Sequence, residues 1–423
     1  ARDSKCMITD CKFSPNGASI ALSSYDGSLY VYNSTDYAAK AKCRGHIGKV
    51  VHFDYSEDSE FIMSNSSGGE LLFWDAERGE LQVPKQMREV QWSTNNCTYS
   101  YATQGVWGPY QDGVHVNSSA RSHARDIIVA LDTAGRMRVY NAPVVKEDAN
   151  FNLCRGHAHN AQRTVFTCDD SYIFTTGGSD GCIMQWKSLI PMTQDYEDMK
   201  RDDSIKDAMP AEMTFEGKLL EKNENHEDVI NQRPTAICNM EEGLVDVSQL
   251  FPWQRTIIAP SRVPFEDNSE PPDSLDLDYV YGFTADRSRE AIHYTLEGEI
   301  IFFAAAVAII MNQDTRKQRF YMEHSATITA MAIHPLENIV ATGQQGEIPM
   351  IRIWDVDTFE TYNVLEGFHR RAINQLKFSR DGKYLITVGQ DRFHSVALYE
   401  WKSSQIISSC QGFLKKSLYI DLW

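Results

Sequence analysis

Along residues 1–189 the apolar and polar positions repeat one short unit. It has an apolar strand, a turn, a second strand rich in Ser, Thr and Gly, a tight turn, and a strand ending in an aromatic residue. The first copy is Ile8–Phe13, the turn Ser14-Pro15-Asn16-Gly17, residues 20–23, the turn Asp26-Gly27, and 28–32. The second carries Gly45-His46, then Val50–Tyr55, 61–65 and 71–75 with Trp74-Asp75. A later copy carries Gly156-His157, then 163–166, 172–176, Asp180-Gly181, and 183–186 ending in Trp186. Residues 83–145 predict a longer, irregular unit with later strands at 127–131 and 137–140. Short apolar runs punctuated by turn residues at this spacing predict antiparallel strands. The pattern resumes after residue 323, with His324, Ile328–Ile333, 339–343 and 351–355, then His369, 373–378, 384–389 and 396–401. Residues 415–423 predict the opening strand of one more unit.

One stretch departs from this pattern. Residues 300–311 read IIFFAAAVAIIM and hold no polar side chain. A bilayer crossing needs about 20 apolar residues, so the run is too short to span one. Exposed, it would be a large adhesive patch; buried, each large side chain stabilises by roughly 1.5–3 kcal/mol. A buried helix or two strands folded back near 304–307 would bury it. The β-branched and aromatic ends favour two strands.

Four strands per unit, a Gly-His start and a Trp-Asp end are the signature of WD-type propeller blades, which bury both faces only when stacked. The expected fold is therefore all-β. The His, a Ser/Thr of the second strand, the turn Asp and the Trp can join in one buried hydrogen-bonded chain, each supplying the other's partner. Two sets fit: His157, Thr176, Asp180 and Trp186, and His369, Thr387, Asp391 and Trp401. In the second unit Gly68-Gly69 stands at the Asp position, so that blade is expected to lack the network.

Residues 190–276 break the repeat. They hold 8 basic and 20 acidic residues, against 18 and 21 in residues 1–189 and 15 and 17 in 277–423. Most of the net charge of −17 therefore sits in the middle. Residues 195–228 read as a charged linker with helical turns near 216–222. From Phe251 the segment turns apolar and Pro-rich, predicting an extended strap lying on a surface. The two flanks are nearly neutral, whereas a nucleic-acid surface wants a basic one. Without a signal peptide or membrane-length segment, a soluble intracellular protein without membrane contact is expected. Nine scattered cysteines with no CxxC pair argue for reduced thiols. The N-x-[ST] matches at Asn33, Asn65, Asn96 and Asn117 are read as chance. The start at Ala1 and the strand-like end suggest a piece of a longer protein.

The chemistry-bearing motifs resolve into blade features. Gly177-Gly178-Ser179-Asp180-Gly181 matches G-x-S-x-G, but a nucleophile elbow needs a helix after the Ser, and a strand-like run follows. Cys154, His157 and His159 lack a second ligand pair, so no metal or cofactor is expected. Asp169-Asp170 and Asp202-Asp203 read as solvated turn carboxylates. The small basic clusters Arg370-Arg371 and Lys415-Lys416, and a loose group at Arg121, Arg125, Arg136 and Arg138, are candidate partner contacts or ordinary surface charge.

Tyr279-Val280-Tyr281-Gly282-Phe283, the Arg-containing bridge to Ile292-His293-Tyr294, the apolar run, and Arg319-Phe320-Tyr321-Met322-Glu323-His324 resemble the HELP motif of the echinoderm microtubule-associated protein-like family. The HELP core would then include Tyr279, Tyr281, Gly282, Ile301, Phe302, Phe303, Ile309 and Ile310. The resemblance implies blades from two successive propellers. Residues 1–189 would be the terminal blades of an atypical second propeller, 190–276 the linker, 277–323 the HELP seam, and 324–423 the first blades of the next propeller. A fresh HELP after a second propeller resembles the long, multi-unit members. The implied function is a non-catalytic scaffold on tubulin or microtubules beside other microtubule-bound proteins, in the cytoplasm and cytoskeleton, with the ciliary axoneme as one setting. A generic WD-repeat adaptor for signalling or ubiquitin-ligase complexes is the alternative.

Overall fold

Turn residues close each repeated unit into a four-stranded antiparallel sheet. The computed structural model describes residues 3–107, 114–178, 180–188, 252–263, 269–271, 275–283 and 290–412. Among these, seven four-stranded blades follow one another. Blade 1 has the strands Ile8–Phe13, Ser19–Ser24, Ser28–Asn33 and Ala39–Arg44. Blade 2 has Val50–Tyr55, Phe61–Ser66, Leu71–Asp75 and Leu81–Gln82. Blade 3 has Val116–Arg121, Ile127–Asp132, Arg136–Asn141 and Asn152–Arg155, preceded by 3₁₀ turns at Pro84–Met87 and Tyr101–Val106 that make up the expected irregular stretch. Blade 4 has Ala161–Phe166, Tyr172–Gly177, Ile183–Ser188 and Leu275–Tyr281. Blade 5 has Ile292–Tyr294, Ile300–Ala304, Val307–Met311 and Gln318–Tyr321. Blade 6 has Ile328–Ile333, Ile339–Gly346, Ile351–Asp355 and Thr361–Leu365. Blade 7 has Arg371–Phe378, Tyr384–Gly389, Val396–Glu400 and Gln405–Cys410. Residues 195–228, 216–222 and 415–423 lie outside the described residues.

The chain forms two compact units. One holds blades 1 and 2 with the described residues 252–263; the other holds blades 3 to 7. In the first, Leu29, Val31 and Cys43 of blade 1 share a core with Val50, Phe53 and Trp74 of blade 2. In the second, the HELP-like stretch begins as part of its predecessor. Its strand Leu275–Tyr281 pairs with Ile183–Ser188 and completes blade 4, although 86 residues lie between Ser188 and its partner Leu275 in the sequence. Blade 4 is thus finished by Tyr279 and Tyr281.

The apolar run is the central hairpin of blade 5, as two strands rather than a helix. Its alternation divides it between two cores. Phe302, Ala304, Val307 and Ile309 pack with Met184, Trp186 and Val280 of blade 4. Ile301, Phe303, Ala308 and Ile310 pack with Met331, Val340 and Trp354 of blade 6. Cross-strand pairs keep each face together: Phe302 opposes Ile309, and Ile301 opposes Ile310. A strand buried on both faces has no reason to alternate apolar with polar, and this is why residues 300–311 read as one unbroken run. Ala305 takes φ 53° at the tip, where the hairpin reverses. Its carbonyl accepts from Ile328 N–H at 2.8 Å, tying the tip to blade 6.

Candidate functional site

Buried polar relays fix the loops at one end of the blades. In blade 4, Trp186 Nε1 donates to Thr175 Oγ1 at 2.9 Å, the Thr175 hydroxyl meets His157 Nε2 at 2.9 Å, and His157 Nδ1 meets Asp180 at 2.7 Å. The hydroxyl is Thr175 and not Thr176, a correction of one position. Trp186 stands opposite Ile173 in the sheet. The hydroxyl that shares its face must be two residues on, and an odd step turns the side chain to the other face.

Blade 2 corrects a second expectation, because it has the relay after all. Trp74 Nε1 donates to Ser64 Oγ at 2.7 Å, Ser64 meets His46 Nε2 at 2.7 Å, and His46 Nδ1 meets Glu70 at 3.0 Å. The longer Glu70 side chain does from one residue beyond Gly69 what an Asp would do nearer the strand. Blade 6 uses Gln344 as the acceptor: Trp354, Thr342, His324 and Gln344 are linked at 3.0, 2.7 and 2.8 Å.

Blade 7 keeps three of the four expected residues. His369 Nε2 meets Thr387 at 2.7 Å, and Nδ1 reaches Asp391 through Ser395, at 3.0 Å to Ser395 Oγ. Trp401 is outside this relay. Tyr399, opposite Leu385, stands in the register position that Trp354 holds in blade 6. Trp401 Nε1 instead donates to Gly382 O at 2.7 Å, a carbonyl that also accepts from His334 Nε2 at 2.9 Å.

Burial favours the neutral form of His46, His324 and His369. Burial drives His324 from its usual 6.5 down to about 4, against the Gln344 hydrogen bond that favours the charged form. Burial also lowers His369 to about 4, with the Asp391 charge opposing. His46 is lowered by burial despite Glu70. Burial pushes the Asp180 carboxyl up, but the hydrogen bond and charge of His157 and the Cys182 amide outweigh it, and it ends below the usual range.

His157, Asp180 and Cys182 bring three donor atoms within 4.8 Å of one another, all buried. Both His157 nitrogens are already engaged by Asp180 and Thr175, and burial raises the Cys182 thiol far above its ordinary value, which disfavours the thiolate a metal would need. Cys154 is instead directed to the Leu275 carbonyl. At the G-x-S-x-G match, Gly177 ends one strand and Ile183–Ser188 follows as the next, so no helix receives the motif; Ser179 itself lies outside the described residues.

The relay in blade 7 carries two exposed cations on its loop. Arg370 and Arg371 follow His369 directly and form no ion pair among the described residues. Arg371 has φ 72°, unusual for a residue with a side chain. It is held there because Gly346 and Gln345 of blade 6 pair with Arg371 and Ala372 across the blade boundary. Lys415 and Lys416 lie outside the described residues. Arg136 and Arg138 both reach the Asp132 carboxylate, at 2.7 and 3.5 Å, so one acidic group offsets part of their charge.

Residues 1–188 match the family model described as the echinoderm microtubule-associated protein second beta-propeller, residues 270–309 the HELP motif, and residues 360–393 the WD domain, G-beta repeat. Echinoderm microtubule-associated protein-like 1 of Mus musculus is 32% identical over 192 residues, which is 44% of this chain and 24% of that protein. Its relatives numbered 3 in Homo sapiens and 2 in Rattus norvegicus are 32% and 33% identical, over 44% of this chain and 22% and 29% of their own lengths. The chain thus spans about a quarter of the curated relatives it matches. The Cps50 (Swd1) β-propeller domain of Myceliophteria thermophila aligns over 92% of the chain with a TM-score of 0.38 and 10% identity. In its propeller-type sheets, its HELP motif and its WD repeat, the chain resembles the echinoderm microtubule-associated protein-like family.

Proposed function

We propose that this chain is part of a non-catalytic, microtubule-associated scaffold of the cytoskeleton. The observation that carries this reading is the joint match of residues 1–188 and 270–309 to the second-propeller and HELP models of a family named for microtubule association. The geometry supports it. The buried His–hydroxyl relays are spent on holding loops in place, and they leave rigid blade ends able to present side chains to a partner. Arg370 and Arg371 are the contacts we assign to the acidic tubulin surface, with Lys415 and Lys416 as further members of the same basic group. We further propose that residues 1–189 are terminal blades of one propeller and 324–423 the first blades of the next, with the HELP segment 277–323 as the seam. A multi-unit chain of this kind suits a repeating polymer, and the ciliary axoneme is the finer location we assign, beside other microtubule-bound proteins.

Co-pelleting with taxol-stabilised microtubules at low and high salt tests the reading. A pelleted fraction that falls as salt rises and falls again in Arg370→Glu/Arg371→Glu supports it. A chain that stays in the supernatant at low salt contradicts it.

A further inference from the structure

The Pro-rich strap carries a small structure of its own. Pro252–Arg255 form one turn of 3₁₀ helix. In sequence this turn lies between the third and fourth strands of blade 4, yet it belongs to the compact unit of blades 1 and 2. Trp253 is only 2% exposed. Its ring stacks on Tyr99 with centroids 5.2 Å apart and planes 16° from parallel. Its backbone N–H donates to the Gly69 carbonyl at 2.9 Å. Eight residues on, Ser261 N–H donates to the Glu89 carboxylate at 2.9 Å, and its hydroxyl binds the same oxygen.

The receiving surface is built without the strap. Asn65, on strand Phe61–Ser66 and 1% exposed, grips the backbone of Tyr99 on both sides: its Nδ2 donates to Tyr99 O at 3.1 Å and its Oδ1 accepts from Tyr99 N–H at 2.8 Å. An amide side chain here replaces a strand neighbour and fixes the ring on which Trp253 lies. Gly69 sits in the next hairpin turn with φ 72°, and a Cβ there would come within 3.4 Å of Pro252 Cδ. The slot therefore has an aromatic floor, a carbonyl acceptor and a wall cleared by glycine. Its occupant is a short peptide that joins no sheet. An aromatic anchor in a preformed apolar slot, oriented by one backbone hydrogen bond, is how domains bind short peptides.

We propose that Asn65 and Gly69 of blade 2, with Tyr99 from the segment that follows it, form a docking slot for Pro–Trp peptides, and that Pro252-Trp253 fills it in cis. A tethered ligand acts at an effective concentration of about a millimolar. While the strap is seated, a free peptide of the same intrinsic affinity competes only as its concentration approaches that value. When the strap leaves, the slot accepts a Pro–Trp segment from another chain. This inference stands apart from the microtubule reading and does not need it.

The test uses the full chain and a fluorescein-labelled peptide of residues 251–263, read by fluorescence anisotropy. Trp253→Ala should bind the peptide saturably and at least tenfold more tightly than the wild type, whose own strap competes. Adding Tyr99→Ala should abolish that binding. Ser261→Ala, which loosens only the far anchor, should bind at an intermediate level. Equal binding by wild type and Trp253→Ala, or none by a Trp253→Ala chain with native circular dichroism, overturns the proposal. Loss of the native circular dichroism in Trp253→Ala also overturns it, because Trp253 would then be core and not ligand.

Discussion

Blades 5 and 6 share a wall but are held by opposite means. Blade 6 threads a buried polar chain from Trp354 through Thr342 and His324 to Gln344. Blade 5 has no such chain among its described residues; its central hairpin is apolar on both faces and is divided between two cores. A sheet of the same topology can thus be fixed by hydrogen bonds that need each partner or by non-directional burial that needs only shape. The first is specific and sensitive to protons. The second is insensitive to pH and intolerant of any charge.

The sharpest way to break this contrast is to charge the apolar wall. Phe302→Asp would place a carboxylate between blades 4 and 5, where an unpaired charge costs several kcal/mol or shifts its pKa to stay neutral. We expect blades 3 to 7 to lose cooperative unfolding while the core of blades 1 and 2 persists, as read by thermal circular dichroism and limited proteolysis. An unchanged melting curve would mean that the run is not core.

Cutting the polar chain should cost less. Thr342→Val leaves Trp354 Nε1 and His324 without their shared hydroxyl; each stranded group costs about 1–3 kcal/mol. We expect a loss of roughly 2–4 kcal/mol in denaturant unfolding. The register correction in blade 4 gives a matched pair: Thr175→Val should show a loss of that size, and Thr176→Val, whose side chain is on the other face, should stay within about 0.5 kcal/mol. Equal effects would contradict the relay.

The pH response separates the two modes more gently. His324 and His369 have folded values of about 4 against 6.5 unfolded. Below pH 6.5 the unfolded chain takes up protons that the folded chain refuses. Stability is therefore full above 6.5 and is lost as pH falls towards 4, by roughly 2 kcal/mol per histidine at pH 5. His369→Gln should remove about half of that slope in a series of melting curves. The smallest effect is expected from Arg370→Glu/Arg371→Glu, which should leave stability within about 0.5 kcal/mol and alter only the salt-sensitive pelleting.

Much of this was legible in the residues. The Gly-His and Trp-Asp punctuation located the blades, and the unbroken run 300–311 marked strands with no solvent face. What the sequence hid were partner choices made by geometry. Thr175 and Thr176 differ only in strand parity, and parity becomes visible once Trp186 is seen opposite Ile173. Glu70 and Gln344 replace Asp because a longer side chain can reach the same imidazole nitrogen from a shifted backbone. Trp401 looked like the relay tryptophan, but the strand Val396–Glu400 ends before it and gives its place to Tyr399. The return of Leu275–Tyr281 to blade 4 was hidden by distance along the chain, since nothing local in a strand names its neighbour. Asn65, which matched a glycosylation triplet, is buried beside Tyr99.

The account turns on the claim that residues 300–311 form the common wall of two cores. Hydrogen exchange of the intact chain, followed by mass spectrometry at pH 7, tests it most directly. The amides of Ile300–Ala304 and Val307–Met311 should be among the slowest in blades 3 to 7, opening only with global unfolding. Exchange of those amides within seconds, while blades 4 and 6 remain protected, would contradict it.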